Sequence, residues 1–577
     1  MSDKKTQTAD ADSWLNSAGR SWRLFLIFFL LLLIAGGIVA KLVSLYTLDQ
    51  DFLQRQGDAR SLRTTLIPAH RGLITDRNGE PLAVSAPVAT VWADPSRSDR
   101  LSPKLDHLAT LLGTSRQALS SRLETHQEKQ FIYLKRQVTP ELAEQIETLG
   151  VPGIHVDRAY KRYYPAGEVT THLVGFTNIE GKGQEGLEMA YESFLKGEPG
   201  RKLVMQDRMG RTIKHIKSID EAKPGRNIQL SIDLRLQYQA YRELKAAVQS
   251  HQADSASLVM LDAKTGEVLA MVNQPSYNPN DRSSLNPEEL RNRAVTDLFE
   301  PGSTMKPLTI SAALMSGQYD VESIVDTSPG YIRVKGRTIR DHRNYGKLDL
   351  TGIITKSSNV GVTKLALSMD ENAVRSLFDN VGIGHSAGTG FPGERSGSLP
   401  FYGAKRVVER ATMSYGYGLS LTPLQLAQAY LPLANQGVIH PVSLIKQNEP
   451  EKGKRVMPKE VAESVLQMME TVTQVGGTGR RAAVYGYRVA GKTGTVHKAT
   501  GGGYAEDKYI SVFAGIVPIS DPQIVIAIMV NNPKGQEYYG GEVAAPVFAR
   551  VASEALRTLN VPPDQWPQGN GTTVVMQ

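Results

Sequence analysis

The sequence predicts an α+β protein with a single N-terminal transmembrane helix, a mixed α/β domain, and a larger domain. In the larger domain an antiparallel sheet is flanked by helices and joined to a helical lobe. Three observations carry this. An apolar run without a charge extends from Leu24 to Ala40. Strand-like segments stand at both ends of the second half, at 258–271 and 509–531. The residues between them read as helical, so the distant strands can close into one sheet with helices folded back on it.

Composition narrows the class. The chain has 577 residues, enough for several folding units and a sizeable core. Hydrophobic residues make up 41% and charged residues 21%, which excludes a wholly disordered chain and a polytopic membrane protein. The net charge of +8 is scattered along the chain, so nucleic-acid binding gains no support. With no cysteine, a disulfide, a thiolate nucleophile or a thiolate zinc site cannot form. The 11 histidines contain no His-Glu-x-x-His pair, and neither a metal nor a cofactor is expected.

The apolar run gives roughly 26 Å of helix, near the hydrocarbon thickness of a bilayer. Lys4, Lys5, Arg20 and Arg23 precede it, which keeps the N-terminus cytoplasmic and puts the rest of the chain outside. The rival reading is a cleaved signal peptide with a small-residue site at Ala35-Gly36-Gly37, but a secretory apolar core is usually only about 7–15 residues. Asn78-Gly79 between apolar runs predicts a β-hairpin over 69–85. Residues 105–150 read as largely helical, with a helix start at Thr139-Pro140-Glu141. Residues 151–226 are glycine-rich and mixed. Strand, turn and strand follow at 258–271, with the turn at Lys264-Thr265-Gly266. Near the end, two apolar strands at 509–519 and 523–531 flank Asp521-Pro522, and 541–559 reads as a closing helix. The expected organisation is a cytoplasmic tail (1–23), a transmembrane helix (24–45), a pedestal domain (46–228), a catalytic domain (229–559) and a flexible tail (560–577).

Two motif matches mislead. Residues 486–493 fit the P-loop pattern, but Gly494-Thr495-Val496 follows where that motif needs a helix. Gly384-His385-Ser386-Ala387-Gly388 fits a nucleophile elbow, yet a helix precedes it and glycine-rich loop follows, the reverse of the required context.

The constellation with chemistry in it has three parts. Ser-x-x-Lys occurs four times, at Ser2, Ser193, Ser303 and Ser443, and alone means little. Ser-x-Asn starts at Ser276, Ser284 and Ser357, and Lys-Thr-Gly starts at Lys264 and Lys492. Only Ser303–Lys306 lies at a helix start and is followed in order by Ser357-Ser358-Asn359 and Lys492-Thr493-Gly494-Thr495. Pro301-Gly302 breaks the chain there, and residues three apart share a helix face, so Lys306 can reach the Ser303 hydroxyl. A hydroxyl needs a base to become a nucleophile. Burial, the helix N-terminus and a second ammonium at Lys492 would all lower the Lys306 pKa and leave a neutral amine. The expected roles are Ser303 as nucleophile, Lys306 as general base, Ser357 as proton relay, and Asn359 holding substrate and orienting Lys306. Lys492, Thr493 and Thr495 would hold a carboxylate, with Gly494 letting a ligand backbone approach. The N–H groups of Ser303 and Thr495 would stabilise the oxyanion. The expected reaction is acyl transfer through a serine ester.

These three motifs resemble the active-site set of penicillin-binding proteins and serine β-lactamases. Their surroundings, among them RGLITDRNGEPLA (71–83), YYPAGEVTTHLVG (163–175), GLEMAYESFLKG (186–197) and SYGYGLSLTPLQLA (414–427), resemble class B penicillin-binding proteins of the division-specific FtsI type. The resemblance implies a single-pass inner-membrane protein, largely periplasmic, at the division septum. It implies a noncatalytic pedestal and a penicillin-binding transpeptidase domain that cross-links peptidoglycan stem peptides. Ser303 would attack the D-Ala-D-Ala bond, D-Ala would leave, and a diaminopimelate amine would take the acyl group. β-Lactams become covalent inhibitors, and the implied partners are an FtsW-type glycosyltransferase and other divisome proteins. A D,D-carboxypeptidase and a β-lactam-binding noncatalytic scaffold are the alternatives. One departure stands out: Val496-His497-Lys498 replaces a small residue followed by Arg-Lys. If that arginine holds a substrate carboxylate, His497 does so only when protonated, and acylation would favour acid pH.

Overall fold

A computed structural model of the chain describes residues 12–99, 102–207, 212–283, 285–403, 405–500 and 503–565. Lys4, Lys5 and Ser2 lie outside these residues, as does 566–577. Helix α1 (Asp12–Thr47) contains the apolar run. Its stretch Trp22–Thr47 has a mean hydropathy of 2.7 and buries nothing inside the protein, as a lipid-facing helix should.

The described fold divides into two compact units. The first takes in residues up to 68 with 89–157 and 199–222. It holds a three-stranded antiparallel sheet of Leu62–Ile67, Gly200–Gln206 and Thr212–Asp220. It also holds a small core in which Leu105, Leu108, Leu119, Leu123 and Ile146 pack on Val91 and Ala93. The largely helical 105–150 contains the helices Lys104–Leu112, Arg116–Thr125 and Pro140–Leu149, with one departure. Ile132–Val138 is a strand paired with 89–93, because Ile132, Tyr133 and Leu134 suit a half-buried pleat better than a helix face. Thr139 does cap the next helix (Pro140–Leu149), accepting from the Leu142 N–H at 3.4 Å.

The second unit comprises 69–88, 158–198 and everything from 223. The hairpin predicted around Asn78-Gly79 forms, with Gly79 at φ 93° in the turn and Ile74–Thr75 paired antiparallel to 81–83. In chain order the main elements are α2 (Leu234–Ser250), β1 (Ser255–Asp262), β2 (Val268–Gln274), α3 (Lys306–Met315), β3 (Tyr331–Val334), β4 (Arg337–Arg340), α4 (Asn359–Ser368), α5 (Pro423–Ala434), β5 (Ala490–Thr500), β6 (Gly503–Val517), β7 (Ile524–Asn531) and α6 (Ala545–Thr558). Five of these strands form one antiparallel sheet in the order β2-β1-β7-β6-β5, so β5 is an edge. β1 and β7 are buried on both faces, which is why they read as continuous apolar runs rather than alternating ones. One face packs on α2 and α6 through Leu236, Leu244, Phe548 and Val551. The other packs on the helical lobe through α5, all of whose residues are buried.

Two further expectations need correction. The helical middle also contains the hairpin β3–β4 and a strand pair, Ile324–Asp326 with Lys347–Asp349. The start of the supposed flexible tail is docked. Val561 packs against the α2–α6 core, the Tyr487 hydroxyl donates to the Val561 carbonyl at 2.6 Å, and the Asp564 carboxylate accepts the Arg488 N–H at 2.7 Å.

Candidate active site

The turn at Ser303 is built by close approach. Gly302 sits at φ 57°, a left-handed backbone that glycine accepts without strain. Its N–H donates to the Gly416 carbonyl at 3.0 Å. A Cβ on Gly302 would stand 2.4 Å from Val496 Cγ1 on β5, so the Ser303 turn lies against the sheet edge. Residues Gly302–Met305 form a 3-10 turn, and the α-helix begins only at Lys306. In a 3-10 turn residues i and i+3 eclipse, which puts Ser303 and Lys306 on one side more directly than an α-helix would. The buried Tyr430 hydroxyl fixes the turn from below, donating to the Thr304 carbonyl at 2.6 Å.

Lys306 and Lys492 are both fully buried and meet at Ser357. Lys306 Nζ donates to the Ser357 carbonyl at 2.5 Å and lies 3.1 Å from its Oγ. Lys492 Nζ approaches the same Oγ at 3.0 Å and donates to the Thr493 carbonyl at 3.1 Å. Burial lowers Lys306 well below 10.5, and the neighbouring Lys492 charge lowers it further, while Asp341 pulls the other way. Burial alone brings Lys492 down to about 7. An unpaired ammonium in a dry site is costly, and shedding the proton is the cheapest relief. Ser357 reaches both lysines because it terminates the helix Leu350–Lys356 in a left-handed conformation, φ 57° and ψ 43°.

Ser358 caps α4, accepting the Gly361 N–H at 2.9 Å. Asn359 opens that helix, and its amide donates to the Arg340 carbonyl at 3.0 Å rather than to Lys306. Orientation of Lys306 therefore comes from the Ser357 carbonyl. The sequence reading missed Asp341, which takes the Ser358 hydroxyl at 2.6 Å and the N–H groups of Asn359 and Val360 at 2.6 and 3.0 Å. Its only sequence signal is being the lone acid among five cations in 331–343.

The third motif lies on edge strand β5, with Lys492 opposite Ala514 and Thr495 opposite Ser511. The Thr493 and Thr478 hydroxyls meet at 2.8 Å, and the Thr495 hydroxyl accepts the Gly540 N–H at 2.9 Å. A Cβ on Gly494 would sit 3.0 Å from the Pro301 carbonyl and 3.1 Å from Thr304 Cγ2. This glycine thus admits the Ser303 turn itself, not only a ligand. His497 is exposed, its Nδ1 is 2.9 Å from the Ala505 carbonyl, and its ring lies 4.7 Å from Tyr509. A carbonyl only accepts, so Nδ1 carries the proton. Glu300, also missed, holds the Gly418 N–H at 2.7 Å and the Tyr504 hydroxyl at 3.1 Å, tying β6 to the segment that leads into the turn.

The misleading motifs resolve as expected. Lys492-Thr493 lies in a strand, not at a helix start. Ser386 sits in a loop and donates to Glu394 at 2.8 Å. Lys264-Thr265-Gly266 is the turn between β1 and β2, with Gly266 at φ 77°. Among the described residues no cluster of metal-ligating side chains occurs.

Family models place a penicillin-binding protein dimerisation domain over residues 66–230 and a penicillin-binding protein transpeptidase domain over 256–553. The chain is a class B penicillin-binding protein. It is 43% identical over 561 residues to the peptidoglycan D,D-transpeptidase FtsI of Escherichia coli K12, covering 96% of this chain and 95% of that one. It is 41% identical over 550 residues to the probable peptidoglycan D,D-transpeptidase PbpC of Pseudomonas aeruginosa, covering 95% and 97%. Among solved structures, the transpeptidase domain of Burkholderia pseudomallei penicillin-binding protein 3 matches 58% of this penicillin-binding protein and 98% of itself, with 41% identity and a TM-score of 0.54. A peptidoglycan synthetase from Bifidobacterium adolescentis matches 88% and 98%, with 25% identity and a TM-score of 0.69.

Proposed function

We infer that the chain is a peptidoglycan D,D-transpeptidase that works through an acyl-Ser303 ester. The observation that carries this is the convergence of two fully buried lysines on the Ser357 hydroxyl. Neutral Lys306 takes the Ser303 proton as Oγ attacks the penultimate D-Ala carbonyl of a stem peptide. The C–N bond breaks, and Ser357 passes a proton to the departing D-Ala amine. Lys492, with the Thr493 and Thr495 side chains, faces the terminal carboxylate, and the Ser303 and Thr495 N–H groups receive the oxyanion. Asn359 holds the stem amide. A strained β-lactam amide enters the same attack and leaves Ser303 blocked.

The coarser placement is a single-pass membrane protein anchored by α1. The finer reading is that residues 46–228 form a pedestal carrying the 229–559 catalytic domain in the periplasm at the septum. There it would work beside an FtsW-type glycosyltransferase and other divisome proteins. The FtsI name of the Escherichia coli relative and the basic residues before the apolar run support it.

The full chain in detergent is pulsed with benzylpenicillin, and its intact mass is followed for an hour beside Ser303→Ala. A lasting adduct on the first and none on the second is expected. No adduct on folded protein across several β-lactams would leave a noncatalytic scaffold. Supplying water or an amine to a D-Ala-D-Ala donor then separates a carboxypeptidase from a transpeptidase.

A further inference from the structure

Beside the Ser303 cleft lies a concentration of positive charge that catalysis does not use. The segment 331–343 carries Arg333, Lys335, Arg337, Arg340 and Arg343 against one carboxylate, Asp341. All five cationic side chains are exposed, and among the described residues none of them forms an ion pair. Both oxygens of Asp341 are already committed to α4. Lys405 and Arg406 extend the patch: Lys335 Nζ donates to the Lys405 carbonyl at 2.9 Å. Only Arg406 has a carboxylate partner, Glu409 at 3.6 Å.

The hairpin does not need these charges to fold. Val334 and Ile339 are buried on its inner side, and Ile332 pairs with Ile339 across the strands. Like charges crowded on two short strands repel, and inside the protein the pattern is offset only by Arg340 over the Tyr331 ring at 5.6 Å, Arg343 over the Tyr345 ring at 5.4 Å and the Lys335 bond, with no carboxylate to neutralise it. Its placement suggests a use. The Arg340 carbonyl holds the Asn359 amide, and His342 lies 6.4 Å from the Tyr539 ring. Arg337 acts electrostatically on Tyr415, whose neighbour Gly416 is bonded to Gly302 beside the nucleophile.

A transpeptidase has two substrates. The donor stem gives its carboxylate to β5. The acceptor stem must bring an amine to the ester, and it carries carboxylates of its own. We propose that β3–β4 and the residues to Arg343 dock the acceptor stem peptide, their cations holding its carboxylates while its amine attacks the Ser303 ester. This rests on the transpeptidase reading above. In the step, a C–N bond forms, the C–O bond to Ser303 breaks, and the amine proton returns to Ser303 Oγ. No oxidant or further reactant is needed.

The test uses the full chain in detergent, a D-alanyl thioester as donor, and two acceptors. One is a stem tripeptide ending in diaminopimelate with free carboxylates, and the other is the same peptide with those carboxylates amidated. Wild type is expected to show a lower KM for the acidic acceptor, rising with salt as exposed pairs are screened. The triple variant Arg333→Gln/Lys335→Gln/Arg340→Gln is expected to raise the KM for the acidic acceptor roughly tenfold, the combined yield of three exposed pairs, and to leave the amidated acceptor unmoved. Arg333→Lys with Arg340→Lys should restore most of it. Equal KM values for the two acceptors on wild type would overturn the proposal without any variant, and so would equal losses for both on the triple variant. Thiol release without any acceptor reports the ester step, so failure of the transpeptidase reading would show there first.

Discussion

Lys306 and Lys492 hold their place at a cost in stability. Burial lowers both from 10.5, Lys492 to about 7. The unfolded chain therefore binds more protons than the folded one from about pH 7 to 10, and stability rises with pH through that window. At neutral pH the Lys492 share is on the order of 4 kcal/mol, at 1.4 kcal/mol per pKa unit. Lys492→Met should therefore raise the melting temperature at pH 7 while abolishing penicillin acylation, checked by calorimetry and intact mass. A melting temperature that falls would mean the lysine is well paired when charged. The acylation rate should rise with pH as Lys306 loses its proton. The contrary expectation, drawn from His497, is a rate that falls from pH 5 to 8. Stopped-flow acylation by one β-lactam across that range decides between them: a rate that falls would sink the Lys306 expectation, and a flat profile would sink the His497 one. Ser303, Lys306, Ser357 and Lys492 could be read from the sequence because Pro301-Gly302 and the order of the motifs singled them out. Asp341 could not, because no local spacing links an acid in a loop to a helix cap 17 residues on.

At the scale of elements, the nucleophile turn and the edge strand fit only through glycines. Gly494→Ala would press a methyl against the Pro301 carbonyl and Thr304. Overpacking of this kind costs about 1–3 kcal/mol, and here the backbone that must yield leads to Ser303. The expected outcome is an acylation rate down about tenfold or more, since misplaced reacting groups lose rate steeply, with a melting temperature changed by only a few degrees. Unchanged acylation would mean that the turn moves freely against β5. The sheet strands could be read from their apolar runs. Ile132–Val138 was hidden between two genuine helices, and the 3-10 turn was hidden because its residues also suit an α-helix. In both places pairing with a distant segment decided the outcome over local preference.

Across the whole molecule, the chain is closed by residues that composition marked as tail. Ending it after Leu559 removes the Val561 contact and the Asp564 bond to Arg488. A loss of about 2 kcal/mol follows from one partly buried aliphatic side chain and one or two hydrogen bonds. A chain ended after Gln565 should melt above one ended after Leu559, and equal melting of the two would show the docking to be worthless. The order of strands in the sheet has a consequence in time. β1 lies between β2, which follows it directly, and β7, which ends at Asn531. Until nearly all of the chain has emerged, β1 keeps an open edge, and the strand bearing Lys492 has no sheet to join. Nascent chains are therefore inert towards cell wall and antibiotic alike. Each molecule becomes competent only after β7 has been made, following a period in which an exposed apolar edge must be kept from pairing with a neighbour.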